Sequence, residues 1–206
     1  MPPSEPSADT LERLERAEQL KLQGKHEDAL AILEELLMED VENVAALEEI
    51  ADNELSLGQY ERAEAAALQA VSLDSESYTG EYILGFLRSH HGEWTAAIDH
   101  LRTANSCKAN NAEILRCLGW ALFCAGKRAQ GIVTLERALN LDRESALTLC
   151  DLGVSYLQTQ NILKAKALFE RALDLEPENP RARECLRMAE RLMTLQNRIE
   201  SEMKVG

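Results

Sequence analysis

The chain has 206 residues, of which 45% are apolar and 4% aromatic, and its formal net charge is −14. That apolar content excludes a globally disordered chain, and the charge excludes nucleic acid as the expected ligand, because phosphate contacts need a cationic surface. No run approaches the roughly 18 consecutive apolar residues of a membrane span, so no membrane partner is expected either.

At the amino terminus, "MPPSEPSADT" carries neither a basic patch nor an apolar stretch. No secretory signal is indicated, residues 1–8 are expected to be disordered, and a cytoplasmic location is the default expectation. Prolines stand only at 2, 3, 6, 177 and 180, while Ala, Leu and Glu are abundant, which favours helix throughout. The spacing predicts paired helices along the chain. The first member of each pair falls at about 9–23, 43–57, 77–91, 111–125 and 145–159, and the second at about 26–38, 60–73, 94–107, 128–141 and 162–175. Leu149, Leu152, Gly153 and Tyr156 show the i, i+3, i+4, i+7 stripe of an amphipathic helix.

Between the members of each pair stand Gly24, Gly58, Gly92 and Gly126, each 34 residues from the next, with Gln160 in the fifth place. Three further series keep that period: Ala17, Ala51, Gly85, Gly119, Gly153; Ala29, Ala63, Ala97, Gly131, Ala165; and Leu36, Ala70, Ala104, Ala138, Ala172. A 34-residue internal repeat implies a solenoid of stacked helix pairs. The small residues mark where antiparallel helices cross closely, and Leu33, Leu101, Leu135 and Phe169 fill the spaces between. Ala63→Leu is therefore expected to cost on the order of 1–3 kcal/mol through overpacking.

The fifth repeat carries Leu149, Leu152, Gly153, Tyr156, Ala165, Phe169, Ala172 and Pro177, and with these residues the chain resembles the tetratricopeptide repeat family, Leu149 standing where Trp is usual. The resemblance implies an all-α, right-handed α-solenoid of about five helix-turn-helix repeats over residues 9–179, in units of about 10–43, 44–77, 78–111, 112–145 and 146–179. A long C-terminal capping helix and tail would follow at 180–206. Two units depart from the pattern. Arg13 and Arg16 occupy normally apolar positions, which suits a solvent-facing terminal repeat. In the third repeat Glu81 and Arg88 do the same, so that either the two pair with each other or the helix is rotated.

The resemblance also implies that the first helices line a concave groove. By register, the groove positions hold Glu18, Lys21, Glu48 and Asp52, then Tyr82, Phe86, Ser89 and His90, then Arg116, Trp120, Phe123 and Cys124, then Cys150, Val154, Leu157 and Gln158. The groove is expected to be acidic at one end and aromatic in the middle, with Trp120 and Phe123 exposed and Tyr82 and Phe86 either exposed or packed. Chaperone-associated relatives grip a terminal carboxylate with Lys, Asn and Arg. Here Leu14, Glu18, Glu49, Thr79 and Ile83 stand at those positions and argue against such a clamp. The fitting partner is a protein or peptide segment with apolar anchors and some positive charge.

Charge is distributed unevenly: residues 1–77 hold 20 Asp or Glu against 5 Lys or Arg, and residues 78–206 hold 16 against 17. The acidic end is either a solvated surface or a docking face for a basic partner. After "EPENP", Cys185, Met188, Leu192, Leu195 and Ile199 leave a narrow apolar seam on a helix expected at about 180–203. Its first half should cap the last repeat, and Leu195, Ile199 and Met203 either overhang unused or form a homodimer seam.

Five cysteines without a C-x-x-C pair read as reduced, buried thiols. The histidines at 26, 90, 91 and 100 form no metal-binding spacing, and no glycine-rich phosphate loop occurs, so no metal, cofactor or catalysis is expected. The leading expectation is a non-catalytic scaffold or adaptor that binds a polypeptide in its groove. Alternatives are an acidic chaperone for a secreted or assembly-prone client, and a self-associating subunit of a larger complex.

Overall fold

The computed structural model describes residues 7–203, the side chains of residues 200–202 excepted. Within these residues the fold is all-helical, with eleven helices and no strand: α1 (Ala8–Leu22), α2 (His26–Glu39), α3 (Val44–Ser56), α4 (Tyr60–Leu73), α5 (Tyr78–His90), α6 (Trp94–Cys107), α7 (Ala112–Cys124), α8 (Arg128–Leu141), α9 (Ala146–Gln158), α10 (Ile162–Leu175) and α11 (Pro180–Met203). The expected disordered segment falls mostly on residues 1–6, which lie outside the described residues. Ser7 already caps α1.

The two helix types start differently. Each odd-numbered helix opens on a side-chain cap: Ser7, Asn43, Ser77, Asn111, Ser145 and Asn179 each accept from a backbone N–H two or three residues on. Such a cap contributes about 1 kcal/mol. The even-numbered helices α2 to α10 have no such cap. They begin from a tight turn in which the Asn161 N–H reaches back to the Tyr156 carbonyl at 2.8 Å, as the Gln59 N–H does to that of Glu54 at 2.9 Å. This turn needs a left-handed residue, glycine in four repeats and Gln160 at φ +64° in the fifth.

The helices group into two compact units, α1–α6 and α7–α11, divided between Ala109 and Asn110. The α2–α3, α4–α5 and α8–α9 connections carry local turns at Asp40, Asp74 and Asp142, whose Oδ1 atoms accept from the N–H two residues on, and the α10–α11 connection has Glu176 in that place. The segment at the division has Lys108 in that place and turns through Asn110 at φ +61°.

Crossings between paired helices follow the small-residue rule. A Cβ on Gly85 would fall 2.6 Å from Leu101 Cγ, one on Gly119 2.8 Å from Leu135 Cγ, and one on Gly153 2.5 Å from Phe169 Cε1. Ala17, Ala29, Ala51, Ala63 and Ala67 are fully buried at the corresponding places in the first two repeats. Within a unit, each later odd helix also packs on the even helix before it, as Gly80 of α5 does against Ala67 and Val71 of α4. At α1 that outward side is Glu12, Glu15, Arg16 and Gln19, all exposed. Arg13 instead folds onto α2, 2.8 Å from Glu39.

In α5 the third-repeat register is intact, with Ile83, Leu84, Gly85 and Leu87 buried. Glu81 and Arg88 do not pair with each other. The Glu81 carboxylate lies 2.6 Å from His100 Nδ1 on α6, and Arg88 donates to Glu64 on α4. Both polar groups in apolar positions are thus matched by polar side chains on the neighbouring second helices.

Candidate functional site

In unit 1 (α1–α6) the first helices α1, α3 and α5 lie side by side. Helical register puts Glu18 and Lys21 of α1, Glu48 and Asp52 of α3, and Tyr82 and Phe86 of α5 along one face. Glu18 is exposed. Lys21 bridges to α3, its Nζ 2.7 Å from Glu49 and 2.8 Å from Asp52. Burial works against the ammonium, but those two carboxylates outweigh it and raise the Lys21 pKa above its ordinary value. Glu48 accepts from Ser77 Oγ at 2.6 Å, yet burial is the larger influence and raises its pKa. Tyr82 and Phe86 are partly buried and pack against the unit's core.

In unit 2 (α7–α11) the corresponding face comes from α7, α9 and α11. The Asp151 carboxylate, 3% exposed, accepts from Arg116 of α7 at 2.8 Å and from Arg181 of α11 at 2.7 Å. Burial opposes the Arg116 charge, but hydrogen bonding to Glu113 and the nearby acidic groups hold its pKa above the ordinary arginine range. The Arg181 guanidinium also lies 5.8 Å from the centre of the half-buried Trp120 ring. Val154 and Leu157 stand partly exposed on α9, and Met188 and Leu192 are exposed on α11.

The expectation that Phe123 is exposed in the groove is corrected here: its side chain is only 3% exposed. The cause is local. Gly131 on α8 lets the helices approach so closely that a Cβ there would fall 2.7 Å from the Phe123 backbone N, and the Phe123 ring turns to stack on Trp120 with centroids 6.3 Å apart. Cys150, another groove position by register, is also buried, and burial pushes its thiol pKa up to about 11. Burial likewise pushes Cys117 up to about 12. Cys107 is exposed.

Sequence reasoning missed Asp151 and Arg181, and it named Glu49 only as a residue that argues against a carboxylate clamp. The available signal was separation: Lys21 to Glu49, Lys21 to Asp52, Asp151 to Arg181 and Arg116 to Asp151 are opposite charges spaced by close to one repeat. That spacing places them on adjacent first helices.

On the α11 seam, Cys185 is half-buried against the cluster around Phe169 and Ala189. Ala182 and Ala189 are fully buried beneath α11, while Leu195, Ile199 and Met203 are 55%, 56% and 70% exposed. The first half of the helix docks through Ala182, Cys185, Leu186 and Ala189, and Leu195, Ile199 and Met203 stand outside that contact. Among the described residues no group of His, Cys, Asp and Glu is arranged to hold a metal, and no helix is long and apolar enough to cross a membrane.

Family models described as tetratricopeptide repeat match residues 14–78, 49–112 and 146–179. The transcriptional regulator HilA of Salmonella typhimurium is 25% identical over 158 residues, 67% of this chain. The aligned part is 29% of that regulator, so the chain spans less than a third of its length. A tetratricopeptide repeat protein of Thermus thermophilus, TTC0263, superposes with a TM-score of 0.68 at 22% identity, covering 87% of this chain and 97% of that one. YrrB, described as a tetratricopeptide repeat protein with an unusual peptide-binding site, superposes with a TM-score of 0.61 at 21% identity, covering 84% of this chain and 89% of that one.

Proposed function

The chain belongs to the tetratricopeptide repeat family, and from that premise we propose that it is a non-catalytic cytoplasmic scaffold or adaptor that holds a polypeptide segment against the faces of its first helices. The observation that carries this reading is the set of side chains those faces leave accessible. Trp120, Val154 and Leu157 in unit 2 are only partly buried, as are Tyr82 and Phe86 in unit 1, whose first helices also carry Glu18, Glu48, Glu49 and Asp52. Accessible aromatics beside fixed charges suit a segment with apolar anchors and positive charge. The peptide-binding description of YrrB, a structural relative, points the same way.

The test is affinity capture from source-cell lysate with the wild type and a Trp120→Ala, Leu157→Ala double variant, both checked for folding by circular dichroism. A partner retained by the wild type and lost with the variant is the expected result. Equal retention by both would remove binding from the unit 2 face.

Self-association is the second reading, favoured by the exposure of Leu195, Ile199 and Met203.

A further inference from the structure

Two surfaces of this chain are complementary to each other. On α11, Leu192, Leu195, Ile199 and Met203 fall within a sector of about 80° at 100° per residue, and all four are exposed. Arg191 and Arg198 run exposed along one flank of that stripe, while Arg187, one turn earlier, is ion-paired with Glu184. On unit 1, the first-helix face sets Glu18, Glu48, Glu49 and Asp52 against the single Lys21, with Leu14, Tyr82 and Phe86 partly buried among them. Residues 1–109 hold 23 Asp or Glu against 8 Lys or Arg, and residues 110–206 hold 13 against 14.

We propose that the second half of α11 from another copy of this chain lies along the first-helix face of unit 1. Its apolar stripe would meet Leu14, Tyr82 and Phe86, and its arginine flank the carboxylates. The proposal rests on the reading that first-helix faces hold polypeptide segments, and it names the segment.

Length agrees with this placement. Residues 192–203 span about 17 Å of helix at 1.5 Å per residue. Three first helices packed at 8–10 Å spacing span about 16–20 Å between their outer axes. Charge decides between the possible partners of the seam. Antiparallel pairing of one α11 with another brings two arginine flanks together, and parallel pairing turns them away from any carboxylate-rich face, whereas docking on unit 1 brings arginine to a cluster of carboxylates. Because donor and acceptor surfaces differ, each copy retains one of each after docking, and association continues beyond a dimer unless it closes into a ring.

The experiment is light scattering on the full chain over a range of concentrations and salt. The expected result is a mass that climbs past two copies with concentration and falls as salt screens the carboxylate–arginine contacts. Leu195→Glu, Ile199→Glu spoils the donor, and Glu18→Lys, Asp52→Lys spoils the acceptor. Each variant alone should be monomeric, and their equimolar mixture should form a dimer, because one keeps an intact α11 and the other an intact unit 1 face. Glu18→Lys alone, at an exposed side chain, should weaken association by roughly threefold or more.

A wild type that stays monomeric at every concentration overturns the proposal. So does an acceptor variant that associates as the wild type does, which would mean an α11–α11 seam, and so does a mixture that stays monomeric. A monomeric wild type that still loses its captured partner on Trp120→Ala, Leu157→Ala would overturn this inference and leave the polypeptide-binding reading standing.

Discussion

The two units solve one problem with opposite charges. In unit 1 a cation, Lys21, lies between the carboxylates of Glu49 and Asp52, and in unit 2 a carboxylate, Asp151, lies between the guanidinium groups of Arg116 and Arg181. Each arrangement ties neighbouring first helices together. They differ in wetness: the unit 1 carboxylates are 29% and 35% exposed, whereas Asp151 is 3% exposed. Partly solvated pairs contribute about 0–1 kcal/mol, while breaking a buried pair costs about 3–5 kcal/mol because the surviving charge is stranded. Burial, rather than the number of ion pairs, sets their importance.

Removing each central group tests that contrast. Asp151→Ala takes from the largely buried Arg116 its buried carboxylate, leaving it only the more exposed carboxylate of Glu113, and removes the Arg181 bridge between α11 and α9. A loss of about 3 kcal/mol is expected, read as a lowered denaturation midpoint. Lys21→Met is expected to cost less than about 1 kcal/mol. Similar losses for the two variants would break the comparison. The salt profile sharpens it, since the Lys21 bridge should weaken with ionic strength more than the Asp151 bridge.

A second contrast lies at the helix crossings. Unit 1 uses Ala17 with Leu33 and Ala51 with Ala67, all buried, while unit 2 pairs Gly153 with Phe169, whose ring fills the space a Cβ would need. Gly153→Ala should therefore cost about 1–3 kcal/mol by overpacking despite its better helix propensity. Adding Phe169→Leu restores the Ala–Leu pairing seen at Ala17 and Leu33, and it should recover part of the loss. A double variant less stable than both single variants would show that the ring does more than fill this gap.

These crossings explain what the sequence made legible. The 34-residue period, the turns and the helix limits came from glycines and alanines whose spacing is set by backbone approach, and backbone approach allows few substitutes. The binding faces were less legible, because a side chain's exposure depends on the helix opposite. Phe123 occupies a groove position by register but is buried through the close approach at Gly131, a residue on the next helix. Glu81 and Arg88 looked like a possible pair because they are seven residues apart on one helix. Their partners lie on two other helices: His100 meets Glu81 when α5 and α6 of one repeat pair, and Glu64 meets Arg88 when that repeat stacks on the one before.

The turn at Gln160 offers a smaller effect within unit 2. Four repeats place glycine at positive φ there, and Gln160 adopts φ +64° with the same backbone hydrogen bonds. A left-handed residue with a Cβ costs roughly 1–2 kcal/mol, partly offset because glycine loses more chain entropy on folding. Gln160→Gly should raise stability by up to about 1 kcal/mol. The same substitution with no gain, measured by chemical denaturation, would mean that Gln160 makes a compensating contact.

The smallest expected effect belongs to Glu48 in unit 1, and its pH dependence runs against that of a salt-bridged carboxylate. Burial raises its pKa more than the Ser77 hydrogen bond lowers it, so the folded chain favours the protonated form. Between the ordinary value of 4.5 and the raised one, the folded state binds more protons than the unfolded state, and stability falls as pH rises through that interval. The deficit persists at neutral pH. Glu48→Gln keeps an acceptor for Ser77 and removes the charge, so it should be slightly more stable than the wild type at neutral pH and converge with it below pH 4.5. A neutral-pH loss on Glu48→Gln would mean that the Glu48 charge is stabilised in the fold. The acidic face would then owe its cohesion to Glu48 as well as to Lys21.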